Sequence, residues 1–180
     1  MNKRALIKSD LYRYAGSTDF KAFCKMYLKA PGFRFSVWLR LSKGSNIGSK
    51  LAKIIQIHYR YKFGMDIKPD TEIGPGLYIG HFGGIVVASA AHIGRNCNLS
   101  QCVTIGVAAT TRNQGHPVIG DNVYIGSGAK VIGPVTIGDN CAIGANAVVT
   151  KDIPPHSTAV GIPARVINQN GSEGSLLNTI

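Results

Sequence analysis

Acidic residues are scarce in this chain: nine Asp and Glu stand against twenty Lys and Arg in 180 residues, a formal net charge of +11. Tryptophan occurs once and aromatic residues amount to 8%. Neither a helix-turn-helix pattern nor a run of stacking aromatics accompanies the positive charge, so nucleic acid is not the expected partner. No apolar run approaches the roughly 20 residues needed to cross a bilayer. The start, MNKRALIKSD, has no apolar core of signal-peptide type, and a cytoplasmic protein is expected. Four cysteines without paired spacing give no disulfide framework and no metal-ligand set.

What the chain has in abundance is a repeat. From Ile119 the segments IGDNVY, IGSGAK, VIGPVT, IGDNCA and IGANAV return an aliphatic residue every six positions, at Ile119, Ile125, Val131, Ile137, Ile143 and Val149. Position five is small and apolar, at Val123, Ala129, Val135, Cys141, Ala147 and Ile153, and position two is usually glycine. A glycine returning with that period is expected to turn a corner each time, which predicts a parallel β-helix in which each hexad is a short strand plus a corner. Cys97 and Cys141 fall at the inward position five, where a thiol packs as a small hydrophobe. Extended backwards through Ile67, the frame comprises thirteen hexads.

Two steps break it. Between Ile79 and Val87 two extra residues stand in IGHFGGIV, and between Ile105 and Ile119 fourteen residues hold the loop VAATTRNQGHP, assigned to 107–117. Each break contains a histidine, His81 and His116. A regular coil needs no such insertion to bury its apolar column, so these segments are read as the site.

Upstream, residues 3–15 and 19–30 read as helices, Phe33–Leu41 continues the helical pattern after Pro31-Gly32, and a further helix runs from Ile47 or Gly48 to Tyr61. Three parts result: a basic helical segment over 1–62, a β-helix over 63–167 closed by Pro154-Pro155 and Pro163, and a polar tail over 168–180 expected to be flexible. The charge belongs to the first part, where fourteen Lys and Arg face only Asp10 and Asp19. A solvated face is the plain reading of that excess, and weak peripheral contact with an anionic membrane surface is the functional one.

Over 66–167 the chain resembles the hexapeptide-repeat acyltransferases, and among them the serine acetyltransferase branch with its small relatives that acetylate surface polysaccharide. The resemblance rests on DIKP at 66–69, HFGG at 81–84, GHP at 115–117 and TKDIPPHSTAVGIPARVI at 150–167. It implies a left-handed β-helix of about four turns, mainly β with the small helical segment in front. It also implies acetyl coenzyme A as donor, direct transfer without an acyl-enzyme, and a homotrimer with active sites between subunits. His81 matches the family's general base, Asp66 the carboxylate that orients it, and His116 the histidine facing the acceptor. The chemistry agrees, because an alcohol must lose its proton to a group of near-neutral pKa to attack a thioester. Ser127, Ala145, Thr150, Lys151 and Arg165 match coenzyme contacts of the sugar-acetylating relatives, and no metal is implied.

At the positions where serine acetyltransferases hold the amino and carboxylate groups of serine, this chain has Gly80 and Gly115. Loss of both handles leads to the expectation of a saccharide acceptor, its hydroxyl acetylated during surface polysaccharide assembly. Serine or another small molecule is the alternative acceptor, and a non-catalytic scaffold a further one. A γ-type carbonic anhydrase shares the solenoid but needs an H-x-x-x-x-H pair for zinc; Asp121 stands five residues after His116.

Overall fold

The computed structural model describes residues 1–108 and 115–180, so most of the loop assigned to 107–117 lies outside the described residues. Among the described residues four helices, α1 (Lys3–Ala15), α2 (Phe20–Lys29), α3 (Pro31–Ser42) and α4 (Ile47–Phe63), precede fifteen short strands. Side-chain oxygens of Asn2, Asp19 and Asn46 accept amide hydrogens at the N-termini of α1, α2 and α4, and Pro31 opens α3. Pro31 begins a helix because its missing N–H and fixed φ cost nothing in a first turn. Gly16 and Gly64, both at positive φ, close α1 and α4.

The strands wind into a three-faced prism. Face A stacks β1 (Met65–Ile67), β4 (Ile85–Val87), β7 (Thr104–Gly106), β10 (Lys130–Ile132) and β13 (Val148–Val149). Face B stacks β2 (Glu72–Ile73), β5 (His92–Ile93), β8 (Val118–Ile119) and β11 (Thr136–Ile137), extended by a bridge from Ile137 to Ile153. Face C stacks β3 (Tyr78–Ile79), β6 (Asn98–Leu99), β9 (Tyr124–Ile125), β12 (Ala142–Ile143) and β14 (Thr158–Val160), with β15 (Arg165–Asn168) antiparallel at its end. All the other pairings are parallel, and from β1 to β13 successive strands go to successive faces. Four full turns separate β1 from β13.

The hexad frame sets the interior. Ile119, Ile125, Val131, Ile137, Ile143 and Val149 are all fully buried, as are Val123, Ala129, Cys141 and Ala147 at position five. The glycines at position two have another reason than the one read from the sequence. At Gly94, Gly120 and Gly126 a Cβ would lie 2.4, 2.4 and 2.8 Å from atoms of the coil stacked against them, so these glycines permit close packing of coils. The left-handed corner conformation falls instead two residues later, at Asn96, Asn122, Asn140 and Asn146, with φ of 55–57°; asparagine tolerates that region. Asn96, Asn122 and Asn140 form a side-chain ladder with hydrogen bonds of 2.9 and 3.0 Å.

The helices close the first coil. Phe35, Leu39 and Phe63 join the prism's apolar column. Arg40, paired with the buried Asp10, donates to the carbonyls of Ile73 and Gly74 at 2.6 and 2.7 Å, and the Asp10 carboxylate accepts from the Leu77 amide. The Tyr14 hydroxyl accepts from the amide of Ile79 and donates to its carbonyl. A Cβ on Gly32 would fall 2.0 Å from that same carbonyl, so the start of α3 rests directly on the strand leading to His81.

Opposite its core-facing residues Ala52, Gln56 and Phe63, α4 exposes Ile47, Leu51, Ile54 and Tyr61, the last 81% exposed. No described helix is long and apolar enough to cross a membrane. In the segment 168–180, Arg13 donates to the Leu177 carbonyl, Asn96 exchanges hydrogen bonds with Ile180, and Ser172 donates to Asn122.

Candidate functional site

His81 stands at the corner between faces C and A, in the loop from β3 to β4. Its exposed ring is carried by a loop with Gly83 and Gly84 at positive φ. Below it the same corner repeats once per turn, and the turns are joined by backbone hydrogen bonds. The Cys102 amide donates to Gly83, Gly128 to Gln101, Asn146 to Ser127, and Val148 to Gly161, all within 3.0 Å. Ser127 and Ala145 therefore lie on the edge that His81 heads. Arg165, paired with Val160 beside the Gly161 corner, ends that edge with an exposed guanidinium.

His116 belongs to another edge, between faces A and B. The carbonyl of the adjacent Pro117 accepts from His92, and a Cβ on Gly115 would meet the Pro134 side chain at 2.5 Å. Thr150 and Lys151 occupy the corner after β13 on this edge, where Asp152 accepts from the Thr136 amide. One subunit thus presents two edges, His81 with Ser127, Ala145 and Arg165 on one, His116 with Thr150 and Lys151 on the other. Face A, with Asp66, Val86, Thr104, Lys130 and Val148 pointing outwards, lies between them.

Asp66 projects from β1 and is half exposed, in an ion pair with Arg60 from the last turn of α4. The end of α4 touches the His81 loop: the Phe63 and Phe82 rings are 5.4 Å apart, and a Cβ on Gly64 would sit 3.4–3.6 Å from Gly84 and Gly83. Two crevices flank that loop. One, of about 230 Å³, is lined by His81, Tyr78, Ser100, Tyr124, Arg13 and Leu177. The other, of about 290 Å³, is lined by Arg60, Tyr61, Asp66 and Val86. A larger hollow of about 620 Å³ lies between α1 and α2, lined by Ile7, Leu11, Phe20 and Phe23, and touches neither histidine edge. Arg60 is not marked by the sequence, because nothing in a helical run of basic residues singles one of them out; its place six residues before Asp66 is the available signal.

A coenzyme with a long arm and phosphates suits the His81 edge, where corner backbone repeats turn by turn beside cations at Arg165 and Lys130. Burial pushes Cys97 up to about 12 and raises Cys141 as well. His92 points from face B to Glu72, 3.2 Å away.

Residues 116–151 match the family described as bacterial transferase hexapeptide (six repeats). The chain is 44% identical to the serine acetyltransferase of Staphylococcus xylosus over 121 residues, 67% of this chain and 56% of that protein. It is 39% identical to the serine acetyltransferase of Mycobacterium tuberculosis over 139 residues, 77% of this chain and 59% of that one. The structure of soybean serine acetyltransferase complexed with serine superposes with a TM-score of 0.78 at 34% identity, covering 92% of this chain and 70% of the soybean chain. The chain spans a little over half the length of the curated relatives it matches. Similarity of this extent overturns the expectation of a saccharide acceptor in polysaccharide assembly. That expectation rested on Gly80 and Gly115 together with the basic helical segment, and neither two missing side chains nor a charge excess in the helices defines an acceptor. That superposition extends over 92% of this chain, the fold is the left-handed β-helix of hexapeptide-repeat acetyltransferases, and the chain belongs to the serine acetyltransferase family of hexapeptide-repeat transferases.

Proposed function

We propose that this protein is an acetyl-coenzyme-A-dependent O-acetyltransferase whose acceptor is the hydroxyl of serine or a similarly small amino acid. The observation that carries the reading is the single edge shared by His81, Ser127, Ala145 and Arg165, joined turn to turn by backbone hydrogen bonds. An extended thioester laid along that edge brings its acyl end to His81 and its phosphates to the cations. His81 accepts the proton of the acceptor hydroxyl as the oxygen attacks the thioester carbonyl, and returns it to the departing sulfur. Asp66 holds the imidazole in the tautomer that leaves its basic nitrogen towards the acceptor.

The same proposal includes a homotrimer. His116, Thr150 and Lys151 lie on the opposite edge of face A, so a neighbouring subunit completes the site by setting its His116 edge against this subunit's His81 edge. The unpartnered apolar stripe on α4 supports a subunit contact beside it.

The test follows thiol release from acetyl coenzyme A with L-serine, and the mass of the product. O-acetylserine is expected, and His81→Ala is expected to slow turnover by roughly 10²–10⁴-fold, the usual share of general-base catalysis, with coenzyme affinity retained. Unchanged turnover in that variant would remove His81 from the mechanism.

A further inference from the structure

We infer that Arg60 anchors the acceptor through its carboxylate, and that by doing so the acceptor releases Asp66 to His81. The inference deepens the reading above and rests on it. It starts from an ion pair in an unexpected place. Asp66, the carboxylate available to orient the general base, is engaged by Nη2 of Arg60. Arg60 is 22% exposed, and its Nε is buried with no partner among the described residues. A guanidinium offers five donors in a planar fork matched to carboxylates, and this one spends a single donor on a described side chain. An unpaired buried donor costs free energy, which is recovered when the side chain shifts to present its fork to a carboxylate.

The surroundings suit a small amino acid. The crevice of about 290 Å³ is bounded by Arg60 and Tyr61 from α4 and by Asp66 and Val86 from face A. Phe63 and Gly64, which follow Arg60 by one turn, pack on Phe82, Gly83 and Gly84 beside His81. An acceptor carboxylate arriving on Arg60 therefore sits one loop away from the base. Because Arg60 and Asp66 neutralise each other before the acceptor arrives, anchoring takes the form of an exchange. The incoming carboxylate takes over the guanidinium, and the Asp66 carboxylate turns to the imidazole, where it stabilises the positive charge formed during proton transfer. Acceptors without a carboxylate leave Asp66 on Arg60.

Two acceptors separate anchoring from chemistry: L-serine, and ethanolamine, which keeps the hydroxyl and amine but lacks the carboxylate. Arg60→Gln is expected to raise KM for L-serine roughly 10–100-fold, the scale of a lost charged hydrogen bond, while kcat/KM for ethanolamine rises, because Asp66 is then free for the imidazole. Arg60→Lys is expected to recover part of the serine affinity. Asp66→Asn is expected to split the parameters the other way, lowering KM for serine because the competitor for Arg60 is gone, and lowering kcat because the imidazole loses its partner. Acetyl coenzyme A affinity and the circular dichroism spectrum report folding in each variant. If Arg60→Gln weakens serine and ethanolamine equally, or leaves both unchanged, Arg60 is not the anchor. If the unaltered protein fails to acetylate L-serine at all, the acetyl-transfer reading fails and carries this inference with it.

Discussion

The four thiols of this chain differ in environment more than in sequence. Cys97 and Cys141 sit in the apolar column with no exposure, whereas Cys24 and Cys102 face solvent. Desolvation disfavours the thiolate, and the thiolate is the reactive form. Cys97, pushed up to about 12, carries almost no thiolate at neutral pH. A chromogenic disulfide reagent at pH 7.5 is therefore expected to titrate two thiols in the native protein and four after denaturation. Four fast thiols in the native protein would mean that the column opens readily. Environment separates the histidines as well. His81 and His116 each stand in a frame break, and their residue type and position are legible in the amino-acid sequence alone.

Within the coil, glycine at position two is a packing residue. The sequence shows its period clearly but not its reason, because a glycine required by a turn and one required by a close neighbour look alike until the neighbour is placed. A Cβ on Gly126 would fall 2.8 Å from the Ala145 amide nitrogen and the Ile143 carbonyl oxygen. Both are backbone atoms that cannot rotate away. Gly126→Ala is expected to destabilise the protein by about 1–3 kcal/mol, the range of overpacking, with a lower denaturation midpoint in urea. It is also expected to raise KM for acetyl coenzyme A, because Ala145 lies on the edge proposed for the coenzyme. A neutral effect on both would show that the coils can spread at no cost. Helix boundaries are more legible, since Asn2, Asp19, Asn46, Gly16 and Gly64 are capping residues whose effect is local.

At the scale of the whole molecule, the two histidines lie on different edges of one prism. No rearrangement within a coil brings them together, because each edge is held by hydrogen bonds from turn to turn. The proposed trimer restores the site between copies. His81→Ala and His116→Ala proteins, each inactive alone, are expected to regain activity when denatured and refolded as a mixture, since some interfaces then pair an intact His81 edge with an intact His116 edge. A monomer by light scattering with full activity would defeat the trimer.

The sequence by itself determined the period of the coil, the residues of the inward column, the helical cap and the two places where the frame gives way. These are properties of local order, in which a six-residue repeat fixes which side chains point inwards whatever lies elsewhere. Only the tertiary structure decided which chemistry-bearing residues share an edge. His81 follows β3 at the corner between faces C and A, and His116 precedes β8 at the corner between faces A and B; the two frame breaks, read as sequence, do not say that they fall on different corners. The pairing of Arg60 with Asp66 has only a six-residue spacing to announce it, because it joins the last turn of a helix to the first strand of the prism across a change of direction at Gly64. The acceptor lay furthest from the sequence. Gly80 and Gly115 report only that two side chains are absent, whereas the charges available to hold an acceptor depend on what the fold carries to the same place.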